Sequence, residues 1–359
     1  MRVCILGNNL TSLLLAKALI NKNINIDHLI LKKSYKPNFS RTIGISKTNI
    51  EFINKNIINI KKILWKLNKI QIYTENLKND LLLNFENNNK QLFSIIKNFQ
   101  FYEILKKNLL KNNKYKKKIL NKYNPSAFDR YDLTINCDST SSITRKYFSK
   151  KISKNYDSLA FTTIIKHKKI KNNIAIQIFT KNGPLAFLPL SSYNTSIVYS
   201  ITGNRNLTKQ KIKELIQNYN FKYEIKNIDN IESFQLKSSN LRSYYYKNIL
   251  AFGDLLHKIH PLAGQGFNMT IRDIKTLIDI IQNRIELGLP LDKSINFEFE
   301  KKSKHKNFIF SNGIDFVYEF FNAERKISNN ILSKSVQFVG KNSYLNKLFT
   351  KIADKGSLY

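Results

Sequence analysis

The stretch 249–273, ILAFGDLLHKIHPLAGQGFNMTIRD, constrains this chain more than any other, because it concentrates residues with special backbone and hydrogen-bonding demands. The apolar run 249–252 reads as a buried strand, Gly253 lets the chain turn sharply at its end, and Asp254 offers a carboxylate there. The strand thus delivers an acid to a crevice. Pro261 stiffens the following loop, Gly264 and Gly266 permit positive φ or close approach of another group, and the apolar-periodic run 267–281 reads as a helix. Bare N–H groups at a helix start suit an anionic ligand, and a glycine loop lets a flat or phosphorylated cofactor come against the backbone.

The amino terminus reads as the opening βαβ of a dinucleotide fold: a strand at 2–6, a tight turn at 7–10, a helix at 11–20 and a second strand at 26–31. The usual GxGxxG needs its glycines for the turn, for approach of a pyrophosphate and for helix packing. Gly7 keeps the first position, whereas Asn9 holds the second and Ser12 the third. Asn tolerates left-handed backbone and Ser is small, so both are tolerable replacements that weaken the fingerprint. Lys32 stands where a ribose-binding acid is expected, and Lys cannot accept hydroxyl hydrogen bonds. Taken alone, this segment is either an eroded nucleotide site or an ordinary strand-turn-helix.

Gly253, Asp254, His257, His260, Pro261, Ala263, Gly264, Gln265, Gly266, Asn268 and Asp273 fall in the register of a longer pattern. It runs GDAAH, two residues, HP, one residue, AGQG, one residue and N, with an Asp a few positions on. The stretch therefore resembles the second flavin motif of the aromatic-ring hydroxylases, most closely the ubiquinone-biosynthesis FAD-dependent monooxygenases. GPLAFLPL at 183–190 matches a strand of that family almost letter for letter. Arg41 resembles the Arg that opens a strand-like run before a helix, here expected at 48–67. At 95–98 the family has a strand ending in Glu-Asn, and Lys97 departs from it. Asp138, Ser142 and Arg145 resemble its ADG motif, with Ser139 in place of the Gly. An Asp at a strand end is also an ordinary helix cap.

The resemblance implies a p-hydroxybenzoate hydroxylase-like, two-lobed α/β (α+β) fold. A Rossmann-like FAD-binding domain (1–70, 95–154 and 246–290) would be interleaved with an antiparallel-sheet substrate domain (71–94 and 155–245) and followed by a C-terminal helical region (291–359). It implies an FAD site drawn from Gly7, Asn9, Ser12, Arg41, Asp138, Asp254, Gly264, Gln265, Gly266, Phe267 and Asn268. Pro261 and Gly264 would position the reacting ring, with no general base and no metal assigned. Phe187 and Leu188 would line the substrate wall, plain core packing being the other reading. His257 and His260 read as structural hydrogen-bonding residues. The implied reaction hydroxylates the phenolic ring of a polyprenylated ubiquinone precursor with O2, through a flavin C4a-hydroperoxide, with NAD(P)H or a redox protein as electron donor and other ubiquinone-biosynthesis proteins as partners. The alternative is a degenerate, non-catalytic member acting as a subunit of a quinone-biosynthesis assembly.

Composition narrows the setting. The 359 residues carry 60 Lys and Arg against 25 Asp and Glu, a net charge of +35. That excess is either a compositional bias, since Lys is scattered with Asn and Ile throughout, or a means of adhering to an anionic membrane. No DNA- or RNA-binding motif is recognisable, so nucleic acid is not the expected partner. Cys4 and Cys137 form no CxxC pair or His/Cys cluster, which points away from disulfides and zinc and toward a reducing cytoplasm. No apolar run is long enough to span a bilayer, so membrane contact is expected to be peripheral, on the inner face of the cell membrane. The 106–122 region reads as a helix running into an exposed turn, 155–235 as antiparallel strands with a helix at 209–217, and 293–359 as helical. The aromatics of 308–321 are expected to be mostly core, with a second reading in which this amphipathic tail gives a prenyl chain or a bilayer access to the site.

Overall fold

The computed structural model describes residues 1–32, 41–77, 80–86, 91–203, 207–327 and 331–356. The first strand, β1 (Arg2–Leu6), is apolar and buried over all but its first residue, as a strand covered on both faces must be. It leads into α1 (Leu10–Ile20) and β2 (Asn25–Leu31), which pairs parallel to β1. β3 (Thr42–Ser46) then runs into α2 (Lys47–Asn56). The helix expected over 48–67 stops here. Asn54 Oδ1 accepts from the Ile60 N–H at 2.8 Å and Asn59 Oδ1 from the Lys61 N–H at 3.1 Å, so side-chain amides take over backbone bonds that a helix would need. The chain emerges as β4 (Trp65–Leu67), β5 (Lys69–Thr74) and β6 (Leu81–Glu86), followed by β7 (Phe93–Lys97) and α3 (Asn98–Leu110).

A second correction concerns the lysine-rich region, where Tyr115–Leu120 forms strand β8 and pairs parallel to β2. Its lysines point to solvent, an arrangement that suits an edge strand because like charges discourage further pairing. β9 (Leu133–Asn136) and α4 (Ser142–Tyr147) follow, then a run of long strands: β10 (Lys151–His167), β11 (Ile174–Thr180), β12 (Gly183–Pro189) and β13 (Asn194–Thr202). After α5 (Lys209–Asn218) come β14 (Ile225–Ile228), β15 (Glu232–Leu241), β16 (Tyr245–Tyr246), β17 (Ile249–Ala251) and β18 (His257–Lys258). Four helices close the described chain: α6 (Gln265–Glu286), α7 (Ser294–Ile327), α8 (Ile331–Lys341) and α9 (Ser343–Lys355).

Among the described residues the strands make three sheets. The first has the order β16-β17-β9-β1-β2-β8, parallel from β17 to β8. The second, mostly antiparallel, runs β18-β15-β10-β13-β12-β11-β5-β6, with β14 also on β10. The third, β3-β7-β4, is antiparallel. A large apolar cluster joins both faces of the parallel sheet to α1, α3 and α6, while a separate cluster lies between α5 and one face of the long-stranded sheet. β5 and β6 belong to the long-stranded sheet and β7 to the small one, so the sequence between α2 and α3 serves two layers.

His28, buried in β2, ties neighbouring strands of the parallel sheet together. Its Nε2 lies 2.5 Å from the Gly7 carbonyl oxygen and its Nδ1 2.6 Å from the Tyr115 hydroxyl. A carbonyl can only accept, so Nε2 donates and Nδ1 accepts from Tyr115, which is the neutral ring. Burial pushes the His28 pKa down from 6.5 to about 4. Because the folded value lies below the unfolded one, the unfolded chain takes up the proton first, and stability present above pH 6.5 is lost as the pH falls toward 4. Urea unfolding at pH 7 and pH 4.5 should therefore show a loss of about 2–3 kcal/mol from this residue. That component should vanish in His28→Gln.

Candidate flavin site

The carboxyl ends of β1, β9 and β17 converge on one crevice, as ligand sites of open parallel sheets do. Gly7 makes the convergence possible. Its φ is +108°, and a Cβ there would lie 3.0 Å from the Asp138 backbone nitrogen. Asn9 Nδ2 donates to the Cys137 carbonyl at 2.7 Å, tying the α1 entrance to β9. On the other side Gly253, at φ +67°, passes Thr11 so closely that a Cβ would come within 2.8 Å of Thr11 Cγ2. Asp254 projects from the short turn that follows, exposed to solvent.

The residues replacing fingerprint glycines have work of their own. Asn9 Oδ1 accepts from the Ser12 N–H at 2.9 Å and Ser12 Oγ from the Asn9 N–H at 3.1 Å, a reciprocal capping box at the start of α1. Part of the helix end that a pyrophosphate would use is thus already satisfied. Lys32 is exposed just past β2, its N–H donating to the Leu120 carbonyl at 3.0 Å. Asp138 is held within its own turn: Oδ1 accepts from the Thr140 N–H at 2.9 Å and hydroxyl at 2.8 Å, and Oδ2 from the Tyr123 hydroxyl at 3.3 Å. Arg41 lies exposed immediately before β3.

The 261–268 loop is built differently. Pro261 enters a short turn, Leu262–Gly264, and Gly264 caps α6 in the left-handed conformation at φ 64° and ψ 24° with no side-chain cap. The Gln265 N–H donates to the Leu262 carbonyl, and the N–H groups that follow it at the start of this helix have no capping side chain. A Cβ on Gly264 would lie 3.4 Å from the Gly44 backbone nitrogen, so β3 runs directly against the loop. Asn268 locks them together. Its Nδ2 donates to the carbonyls of Gly44 at 3.0 Å and Gly264 at 3.1 Å, and its Oδ1 accepts from the Ser46 N–H at 2.9 Å and from Asn49 Nδ2 at 2.8 Å. This full complement makes the Asn268 side chain a brace for the loop. Gly266 has ordinary φ, and a Cβ there would meet only Ile259, at 3.6 Å. Gln265 is buried, and its Oε1 has no hydrogen-bond partner among the described residues. Phe267 meets Phe101 edge to face at 6.4 Å.

Both motif histidines are buried against neighbouring side chains. His257 Nε2 donates to Asp273 Oδ2 at 2.5 Å, and Asp273 Oδ1 accepts from Asn307 Nδ2 at 2.9 Å, so one buried carboxylate joins β18, α6 and α7. His260 stacks on Tyr318 at 4.3 Å and meets Tyr156 edge to face at 5.0 Å. Sequence reading registered Asp273 only as a motif letter. Its role depends on Asn307, 34 positions away, which carries no motif signal.

The long-stranded sheet requires one correction. Phe187 faces away from the loop, packed in the cluster under α5 and stacked on Tyr223 at 5.8 Å. Leu188 takes the opposite face: its register partner Ser196 meets Thr42 of β3 at 2.9 Å, while Ala160 and Phe179 on that face cluster with Leu262 of the loop. Alternation along a strand allows only one of two neighbours to face a given layer, so Phe187 cannot line the site. Gln177, Ala186 and Val198 stand in one cross-strand row on the face that Leu188 shares. All three remain half-buried in the middle of the sheet, so this part of the face is incompletely covered. Period-two counting from Leu188 would have found Ala186 in the sequence, but Gln177 and Val198 required the strand register.

Comparison with known proteins agrees with this geometry. Residues 130–286 match the family described as FAD binding domain. The fold superposes on a p-nitrophenol 4-monooxygenase from Pseudomonas putida with a TM-score of 0.76, covering 98% of both chains at 11% identity. Klebsiella pneumoniae HpxO, complexed with FAD and uric acid, also gives 0.76, at 10% identity over 98% of this chain and 97% of that one. The fold is therefore the p-hydroxybenzoate hydroxylase-like fold of FAD-dependent monooxygenases. In sequence the chain is similar to ubiquinone-biosynthesis hydroxylases. It is 30% identical to the 3-demethoxyubiquinol 3-hydroxylase of Escherichia coli over 157 residues, 40% of this chain and 39% of that protein. It is 24% identical to the mitochondrial ubiquinone biosynthesis monooxygenase COQ6 of Drosophila melanogaster over 218 residues, 49% of this chain and 46% of that one. The chain thus spans about half or less of these two relatives' length.

Proposed function

We propose that this protein is an FAD-dependent monooxygenase that hydroxylates the phenolic ring of a polyprenylated ubiquinone precursor, with reducing equivalents from NAD(P)H or a redox protein. The observation that carries this reading is the uncapped start of α6 behind the left-handed Gly264, braced against β3 by Asn268. A flat ring laid on this loop would find backbone N–H groups and the positive end of a 22-residue helix, which favour negative charge developing on a reduced flavin. The space beside Gly266 fits a ligand held close to the backbone. Asp254, exposed at the crevice, would accept hydrogen bonds from the ribityl or ribose hydroxyls.

Bound FAD would supply the redox and oxygen chemistry; the polypeptide supplies position and dryness. Pro261 and Gly264 set the loop beside the reacting ring, and Leu188, Ala186, Val198 and Gln177 would hold the phenol from the opposite wall. The apolar cluster around Leu262, Phe179 and Tyr318 keeps water from one flank. Titrating the purified protein with FAD and recording its visible spectrum tests the reading. Asp254→Ala should weaken FAD binding about 10–100-fold by removing charge-assisted hydrogen bonds, and full retention of flavin by that variant would refute the role of Asp254.

Two observations favour a second reading, a non-catalytic subunit of a quinone-biosynthesis assembly. The Asn9–Ser12 capping box and the exposed Lys32 together alter the adenosine half of the site. Absence of any flavin band on titration would select that reading. As to setting, no helix among the described residues is long and apolar enough to cross a membrane, so contact of the protein with a bilayer would be peripheral.

A further inference from the structure

The aromatic tail buries itself in part: Tyr318 and Phe321 are buried, Phe310 and Phe320 half-buried, and Phe308 and Phe316 exposed. On α7 the stripe Ser303, Asn307, Ser311 and Tyr318 turns inward, with Ser311 bonded to Asn240 at 2.9 Å and Tyr318 to Ser158 at 3.2 Å. The outward stripe changes character along its length. Its first half carries Lys301, Lys302, His305 and Lys306; its second half carries Phe308, Ile309, Phe316 and Val317, with Phe316 69% exposed. Ile309, Phe316 and Phe320 recur at the spacing of one helical face, and only Asn312 and Gly313 interrupt them there. On α8, Val336 shares a cluster with Phe320. Glu319, beside this face, is paired with Lys154 at 2.8 Å.

The exposed rings are continuous with the site. Phe316 neighbours Phe320 at 6.4 Å, Phe320 meets Phe321 at 5.3 Å, and Phe321 stacks on Phe179 at 3.6 Å, inside the cluster that contains Leu262 of the glycine loop. Ring contacts therefore run from the protein's exterior into the buried cluster that contains Leu262 of the loop. Exposed aromatic residues in a cluster, bordered by lysines on the same helix face, match the interfacial region of a bilayer, where rings enter the acyl boundary and cations meet headgroups. A second copy of the chain is a poorer occupant, because two molecules each carrying +35 repel.

We propose that the outer face of α7, residues 301–320, docks this protein on an anionic lipid bilayer, with Ile309 and Phe316 entering the membrane and Lys301, Lys302 and Lys306 resting on its headgroups. The docking stands on α7 itself; that it delivers a polyprenylated ring to the Leu262 end of the cluster rests on the proposed hydroxylase function. The test is sedimentation of the full chain with vesicles of phosphatidylcholine, with and without phosphatidylglycerol. Wild type should bind the anionic vesicles. The double variant Ile309→Ser/Phe316→Ser, which leaves net charge unchanged, should bind them about tenfold more weakly with the same circular dichroism and melting midpoint. Lys301→Ala/Lys306→Ala should weaken binding, whereas Lys169→Ala/Lys171→Ala, an equal charge loss between β10 and β11, should not. No binding by wild type, equal binding by the serine variant, equal losses from both lysine pairs, or a wild-type dimer that the serine variant dissociates would each overturn the proposal. Flavin titration is a separate readout: vesicle binding without flavin binding would sink the hydroxylase reading and leave the docking intact.

Discussion

Gly7→Val is expected to lower stability by about 3–5 kcal/mol and to abolish flavin binding. At φ +108° a β-branched residue leaves the allowed regions for L side chains, and its Cβ would press on backbone, the Asp138 nitrogen at 3.0 Å and the Cys137 carbonyl carbon at 3.1 Å. Backbone atoms cannot swing away as a flexible side chain does, so relief requires β1 and β9 to part. Parting them also pulls the Gly7 carbonyl from His28 and separates the strand ends that form the crevice. Urea unfolding gives the stability loss, and the visible flavin band gives the second effect. A Gly7→Val protein with wild-type stability would show that the β1–β9 junction is looser than the structure describes.

Asp273→Ala is expected to cost a similar amount, about 3–5 kcal/mol, for an electrostatic reason. Asp273 is buried, and each of its oxygens is engaged, one by His257 and one by Asn307. Removing the carboxylate strands a buried imidazole N–H and a buried amide, whose desolvation is then uncompensated. Asp273→Asn keeps an acceptor and should cost less than half as much. Replacing Asp273 and His257 together by leucine should fall short of the sum of the single losses, because no lone donor is left from that pair. Additive losses in that cycle, measured by chemical unfolding, would show that the two residues act independently. Because β18 leads into the Pro261 loop, the single variants should also release flavin more readily.

Much of the fold was legible where residue chemistry and local structure agree. The strand-turn-helix at 2–20, the alternation in β11 to β13 and the amphipathic run of α6 all show periods that only one element satisfies. Gly264 could be read as a left-handed residue because a helix begins just beyond it. The misreadings lie where a partner distant in sequence decides the outcome. The lysines of 116–118 suit a helix as well as a strand until β2 offers its edge, and the helix of 47–56 ends because of asparagines whose acceptors come into play only once the chain has turned.

The candidate site divides in the same way. The sequence alone determined the glycine loop, the acid at the strand end and the erosion of the dinucleotide fingerprint, since each is a property of single residues and short spacings. It could not determine which of Phe187 and Leu188 faces the loop, because a strand's two faces are equivalent until a layer packs against one of them. Nor could it show that Asn268 braces β3 or that Phe308 and Phe316 of α7 stay in solvent. Those outcomes depend on which groups the tertiary fold brings within hydrogen-bonding distance or leaves uncovered, and that is set by packing between segments hundreds of residues apart.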